Sequence, residues 1–449
     1  MTHHRLLDLD QVHSMGTNMY ELAKRLFPIA RSITGDGVRE TLNILKEYLP
    51  NLQIYEQPSG SRCFDWTVPP EWKIRDAYIM DELGNKIVDW QENNLHIINY
   101  SEPVDKKLSL TELQEHLHSI PSMPDAIPYV TSYYSRTWGF CITHEQRERL
   151  TEQIYHIVID SEFMENGSLT YADLILPGEV EQEVLISSYI CHPSMANNEL
   201  SGPIVAIFLM LYLQQQRNYY TYRLVLTPET IGSIVYLSHH KTYLQEHVVA
   251  GYMLSCLGDD RGYSFISSRY ANNHADRITR TIMTQQHPEF TEYSWLYRGS
   301  DERQYGSPNI DLPVVAICRS RFGTYPEYHT SHDNLNMISA KGLQESLDLM
   351  IQIVHLTEYN HYYRTTTHGE PQLGKYDLYP KKSDFNGRLE KGIQVILDLI
   401  SHADGTTDLI RLSDLVGVPV HNLYPLIDHL VKLGLLERQQ YRKTTRQPQ

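Results

Sequence analysis

Apolar positions recur every third or fourth residue at Met19, Leu22, Ala23, Leu26 and Phe27, and again at Val38, Leu42, Leu45 and Leu49. That spacing predicts two helices before residue 50, joined by a turn at 31–37 that carries two glycines. A short strand is expected at 53–55. From 154 onward, short apolar runs alternate with helical spacing. Strands are expected at 154–160, 169–176, 183–190, 222–227, 248–254 and 313–318. Helices are expected at 202–216, 231–246 and 274–286, and in a long run starting at Ala340. Alternation of this kind implies an α/β fold: a mostly parallel, mixed sheet covered by helices on both faces, three layers in all.

Two stretches break the pattern. Between 64 and 128 the chain turns β-rich, with a hairpin at 77–90 around Gly84, a short strand at 96–100 and a helix at 111–118. Residues 369–384 are polar and carry Pro and Gly, which reads as a linker. Beyond it, helix, short Gly-Val-Pro turn and helix, then Gly434-Leu435-Leu436, read as a winged helix-turn-helix. The expected domains are therefore 1–63 with 129–368 as the α/β domain, 64–128 as an insertion, and 385–449 as the winged helix.

Composition narrows the function classes. The chain has 449 residues and a formal net charge of −16, which disfavours a general nucleic-acid binder, because phosphate backbones repel an acidic surface. The expected second helix of the winged module, VHNLYPLIDHLVKLG, offers few cations to phosphates, so an interaction or dimerisation role is expected for it. The N-terminus lacks the apolar core of a signal peptide, and no apolar run reads as a membrane span. Five scattered cysteines point to reduced thiols in a cytoplasmic protein. The expected partners are a small-molecule or short peptide-like substrate and further copies of the chain, as a homo-oligomer.

Candidate chemistry gathers at strand ends. Strand 183–190 delivers Cys191-His192-Pro193, then an Asn-rich loop, then a helix start at Ser201-Gly202-Pro203. That is the usual place for a ligand site in an open α/β sheet. Strand 222–227 delivers Pro228-Glu229 ahead of Gly232. A late loop carries Tyr325, His329, His332 and Asp333, and a polar cluster holds Asp301, Glu302 and Arg303. The segment 129–141, YVTSYYSRTWGFC, either lines a pocket or packs as a connector.

The order of these motifs resembles the co-catalytic zinc aminopeptidase and glutamate carboxypeptidase clan. DWTVPPEW, TSYYSRTWGFC, CHPSMANNELSG, PETIGS, GSDERQY and YPEYHTSHDN are more closely similar to a bacterial family of aminopeptidase-like proteins, labelled with polysaccharide biosynthesis. That family carries an inserted small β-domain and a C-terminal winged helix. The resemblance implies that His192 and His329 are zinc ligands and that Glu229 is the general base. Asn198 falls where the clan has a metal-bridging Asp. Thr230 and Ser255 fall where further carboxylates are expected. Neutral side chains bridge two cations poorly. The expectation is therefore at most one zinc, held by His192 and His329 with Asn198, a nearby carboxylate or water completing the shell, an amide being a weaker zinc ligand than a carboxylate.

Asp301 and Glu302 are expected substrate contacts, and Glu302 or Asp301 is expected to supply the missing charge. Arg303 and Arg321 are expected either to grip a substrate carboxylate or to form surface ion pairs, and Tyr325 is grouped with these substrate contacts. Asp333 either orients an imidazole or caps its loop. The function expected is a zinc-dependent, aminopeptidase-like hydrolase of an amide or amino-acyl substrate. The alternative is a catalytically inactive binding protein of the same fold with a regulatory winged helix.

Overall fold

The computed structural model describes residues 15–151, 153–378 and 391–439. They fall into two compact units, 1–276 with 289–350, and 277–288 with 351–449. Eight strands build the main sheet of the first unit: β1 Gln53–Pro58, β2 Ser168–Leu176, β3 Glu183–Tyr189, β4 Thr221–Thr227, β5 Val248–Leu254, β6 Ser264–Ile266, β7 Thr291–Tyr293 and β8 Val314–Cys318. Their spatial order is β1-β2-β4-β3-β5-β8-β6-β7. The four central strands, β4, β3, β5 and β8, run parallel. Antiparallel pairs flank them on either side. β3, β4, β5 and β8 are buried at every residue, as their unbroken apolar texture requires.

Four helices matter for the site: α1 Met15–Leu26, α2 Asp36–Tyr48, α3 Ser201–Leu213 and α4 Ile231–His247. α3 touches β3 on one side and both α1 and α2 on the other, so it is apolar all round and has no wet face. Together with the turn before it, Ala196–Leu213 is long and apolar enough to cross a membrane by length and composition, yet 94% of it is buried inside the protein. Burying each large apolar side chain there contributes roughly 1.5–3 kcal/mol. The helix is a core element, and its start is fixed by a close approach. A Cβ on Gly202 would lie 2.3 Å from the Leu254 carbonyl oxygen and 2.5 Å from Ser188 Oγ.

The strand expected at 154–160 in the main sheet lies elsewhere. Ile154–Met164 pairs with Glu71–Met80 and Val104–Ser109 in a separate antiparallel sheet, with Lys86–Asp89 at its edge. Its burial alternates residue by residue over most of its length, the mark of a sheet with one face wet. The expected helix at 111–118 is a short helix, Leu110–Gln114, followed by the strand Leu117–His118. In the second unit, Tyr362–Thr365 pairs with Asp404–Asp408 and Leu436–Gln439 beside the helices Lys391–His402, Leu409–Val416 and Val420–Lys432. That module is a winged helix, and its sheet takes in a strand from the stretch assigned to the α/β domain by sequence. The remainder of the expected linker, 379–384, and the start of the expected final domain, 385–390, lie outside the described residues.

Candidate active site

His192 stands three residues past the end of β3, where Ile190 N–H still donates to the Thr227 carbonyl at 3.0 Å. The His192 ring is almost wholly buried, and its Nδ1 donates to Glu199 at 3.0 Å. Glu199 lies in a single π-type turn, Ala196–Leu200, that feeds α3. Arg31 closes the arrangement from the loop between α1 and α2. Its Nε donates to the His192 carbonyl at 3.0 Å and lies 3.5 Å from Glu199 Oε1, with both side chains fully buried. The carboxylate therefore fixes the ring and its tautomer, leaving Nε2 to face outward.

What Nε2 faces is Glu229, 3.6 Å away and partly open to solvent. Glu229 Oε1 accepts from Ser300 Oγ at 2.6 Å, so that oxygen is anchored and Oε2 is turned toward His192. Thr230, directly after it, has φ 67°, and His329 has φ 57°. Both are left-handed, an uncommon conformation that clusters at functional sites. Asp301 sustains the first of these, accepting from Thr230 N at 2.7 Å and Ser233 Oγ at 2.8 Å. Pairing of Tyr129 N with the His329 carbonyl at 2.8 Å steadies the second. The rings of His192 and His329 lie 5.4 Å apart, with Tyr129 against both at 5.2 and 5.1 Å.

These groups share one cavity of about 260 Å³, lined by His192, Glu229, His329, Arg303, Tyr129 and Tyr133 among others. Burial, with the neighbouring His192 charge, pushes His329 down to about 3. Burial alone would lower His192 too, but Cys191 and Glu199 outweigh it and hold the ring well above its ordinary value. Burial, then the charge of Glu229, pushes Asp301 up to about 7.

The donor set speaks against two cations. Asn198 Nδ2 donates to Tyr189 OH at 2.7 Å, and that hydroxyl also bonds Ser255 Oγ. Neutral groups thus stand at the positions where the resemblance in sequence leads one to expect carboxylates, and neutral groups bridge a metal pair poorly. For one cation the residues fit better. His329 Nε2 and Asn198 Oδ1 are both buried without a hydrogen-bond partner, the condition a ligated ion would relieve. Among the described residues, the set of three whose donor atoms lie within 4.8 Å of one another is Cys191, His192 and Glu199. Its carboxylate is already committed to the His192 ring and Arg31.

Several expected contacts stand away from the cavity. Glu302 is fully buried and accepts from Gly299 N at 2.7 Å and from Ser300 N, capping its own turn. Asp301 is likewise buried, spent on Thr230 and Ser233. Tyr325 is 6% exposed, and its hydroxyl donates to Asp333 at 3.1 Å. Arg321 lies over the Tyr293 ring, 4.7 Å from its centre, and donates to the Tyr297 carbonyl. Asp333 accepts from the backbone of Ala196, Asn197 and Asn198; it caps the Asn loop and orients no imidazole. Of the five expected substrate contacts, only Arg303 lines the cavity, donating to Thr230 Oγ1 at 2.7 Å. Sequence reasoning passed over Arg31, Glu199 and Ser300, while the segment 129–141, expected either to line a pocket or to pack as a connector, lines the cavity through Tyr129, Thr131, Tyr133 and Tyr134. Glu199 had a signal, being the acidic residue in NNELSG; Arg31 had none.

Comparison with known proteins follows the same lines. The profile of the DUF4910 family, described as a domain of unknown function, matches residues 20–360, and a winged helix-turn-helix profile matches 360–438. A curated protein of Clostridium acetobutylicum, named a candidate polysaccharide biosynthesis protein with aminopeptidase-like domain, is 41% identical over 425 residues. That match covers 94% of this chain and 96% of the relative. A crystal structure of a candidate peptidase from Clostridium acetobutylicum is 36% identical, with a TM-score of 0.89 over 96% of this chain and 98% of its own. BSAP, a zinc aminopeptidase from Bacillus subtilis, shares the fold at 14% identity and TM-score 0.56, over 76% of this chain and 94% of its own.

Proposed function

This chain belongs to the DUF4910 family, and from that footing we propose that it is an aminopeptidase-like hydrolase of a small amide or amino-acyl substrate, using at most one zinc. The observation that carries this reading is the meeting of His192 Nε2 and Glu229 Oε2, 3.6 Å apart, in a cavity that His329 also lines. His192 and His329, with the Asn198 amide oxygen, would hold the ion. When bound, zinc supplies Lewis-acid polarisation of a carbonyl and makes water more acidic. Glu229 Oε2 takes a proton from the attacking water as its oxygen bonds the carbonyl carbon. The same carboxyl gives that proton to the amine as the C–N bond breaks. Ser300 keeps the carboxylate aimed through Oε1, and Arg303 stands ready to pair with a substrate carboxylate. The five free, buried thiols are consistent with a reducing, cytoplasmic setting.

Metal analysis of protein purified without chelator, paired with an aminoacyl-amide library, tests the proposal. The wild type is expected to carry no more than one zinc per chain and to release amine. Glu229→Gln is expected to keep the zinc and lose turnover by about a hundredfold or more. Equal release by both proteins sinks the assignment. The neutral Asn198, Thr230 and Ser255 favour one second reading, a cavity that binds its ligand without turnover. Protein that carries no zinc and releases no amine would select it.

A further inference from the structure

A second cavity, about 530 Å³, adjoins the first: Trp66, Tyr133 and Tyr134 line both. Its size falls within the roughly 300–1,000 Å³ of small-molecule sites. None of its walls comes from the eight-stranded sheet. They come from the segments 60–70 and 133–136, from Tyr100 and from the end of the strand Ile154–Met164.

Five aromatic rings stand on those walls, Trp66, Tyr100, Tyr133, Tyr134 and Phe163, with Tyr100 as buried support behind the others. Tyr100 is 1% exposed, stacks on Trp72, and meets Tyr133 and Phe163 edge-on. Its hydroxyl is tied to Thr34 Oγ1 at 2.6 Å, and its backbone is held at φ 70°. Trp66 meets Tyr134 edge-to-face at 5.7 Å, yet Tyr134 keeps 57% of its surface open. Its open side makes Tyr134 a ring that a ligand in the cavity can reach.

The polar groups narrow what that something is. Asp65, Glu165, Thr67 and Ser135 stand on the same walls. Among the described residues that line the cavity, Arg136 is the sole cation, and it lies 3.8 Å over the Phe163 ring and 3.5 Å from Glu165. A phosphate or other anion would meet a wall that is negative on balance, two carboxylates against one guanidinium. A purely apolar group would strip water from Asp65 and Ser135 and give nothing back. A pyranose answers both demands. Its C–H face, slightly positive, packs on the negative faces of aromatic rings. Its hydroxyls donate to carboxylates at the ring's edge.

We propose that this cavity is a subsite for one neutral glycosyl ring, whose amide or amino-acyl substituent reaches across the shared aromatic wall toward Glu229. The link to Glu229 rests on the hydrolase reading; the glycosyl subsite does not.

Saturation-transfer NMR on the full chain tests it, with the methyl glycosides of glucose, galactose and N-acetylglucosamine as probes and L-phenylalaninamide as the competitor class. At least one glycoside is expected to receive saturation at its ring C–H protons. Affinity should fall by about tenfold in Tyr134→Ala and in Phe163→Ala, or roughly 1.4 kcal/mol each. Thermal unfolding followed by circular dichroism checks that both variants fold, and the exposed Tyr134 makes its variant the safer of the two. No transfer to any glycoside overturns the subsite, as does transfer unchanged in both variants. Transfer to phenylalaninamide alone, lost in the variants, reassigns the cavity to an aromatic side chain. Glycoside binding in a chain that hydrolyses nothing would fail the hydrolase reading while the subsite stands.

Discussion

Glu199 has two tasks at one atom's remove from each other. It accepts from His192 Nδ1, and it balances Arg31, whose Nη2 is buried without a partner of its own. Buried pairs of this kind gain little over an apolar substitute, but removing one partner strands the other. Glu199→Ala is therefore expected to cost about 3–5 kcal/mol, because Arg31 cannot reach water and does not shed its proton. Urea unfolding of the variant measures the loss. A change below about 1 kcal/mol would mean that Arg31 finds another partner or solvent. Residue by residue, the site's outer frame was legible and its inner support was not. His192 and Glu229 stand directly after buried strands, where apolar runs stop and the next side chain must face the open end of the sheet. Arg31 is joined to His192 across 161 positions, and no local pattern encodes that contact. Asp301, Glu302 and Tyr325 carry the right chemistry for substrate binding, but a sequence does not say which way a carboxylate points, and here they face inward.

Among the elements, α3 and the strands it covers set the position of everything above. Gly202 lets the first turn of α3 lie against the end of β5, where the Leu254 carbonyl would be 2.3 Å from any Cβ. Backbone cannot yield as a flexible side chain can. Gly202→Ala is expected to destabilise by about 1–3 kcal/mol, since overpacking shifts the helix start. On the one-zinc proposal it should also weaken retention of the ion, because the Asn loop between His192 and the helix would move with it. A thermal melt matching wild type would show that the helix has slack at this point. Element identity was readable wherever strands were buried on both faces, as in β3, β4 and β5. For Ile154–Met164 the strand was read correctly and its sheet was not, because its alternating texture belongs to a half-wet antiparallel sheet and it was assigned to the central one. The winged helix gained a strand from outside its expected bounds, because Tyr362–Thr365 directly follows a long helix and carries no break signal of its own.

At the scale of the whole molecule, charge sets the terms. A net charge of −16 and a third winged-module helix, Val420–Lys432, with a single lysine give phosphates little to hold. Duplex DNA mixed with the full chain at low salt is expected to give no retarded band. A shift whose affinity falls steeply with added salt would instead assign the module to DNA. The paired cavities carry a different consequence. Because Trp66, Tyr133 and Tyr134 belong to both, neither chamber can be reshaped without disturbing its neighbour. If both chambers bind parts of one ligand, the partition acts as a gauge of reach: a compound that fills one chamber alone forgoes the other's wall, and only one long enough to bridge the divide collects both. On that proposal, selection by molecular span rests on three rings, ahead of any chemistry at the carboxylate.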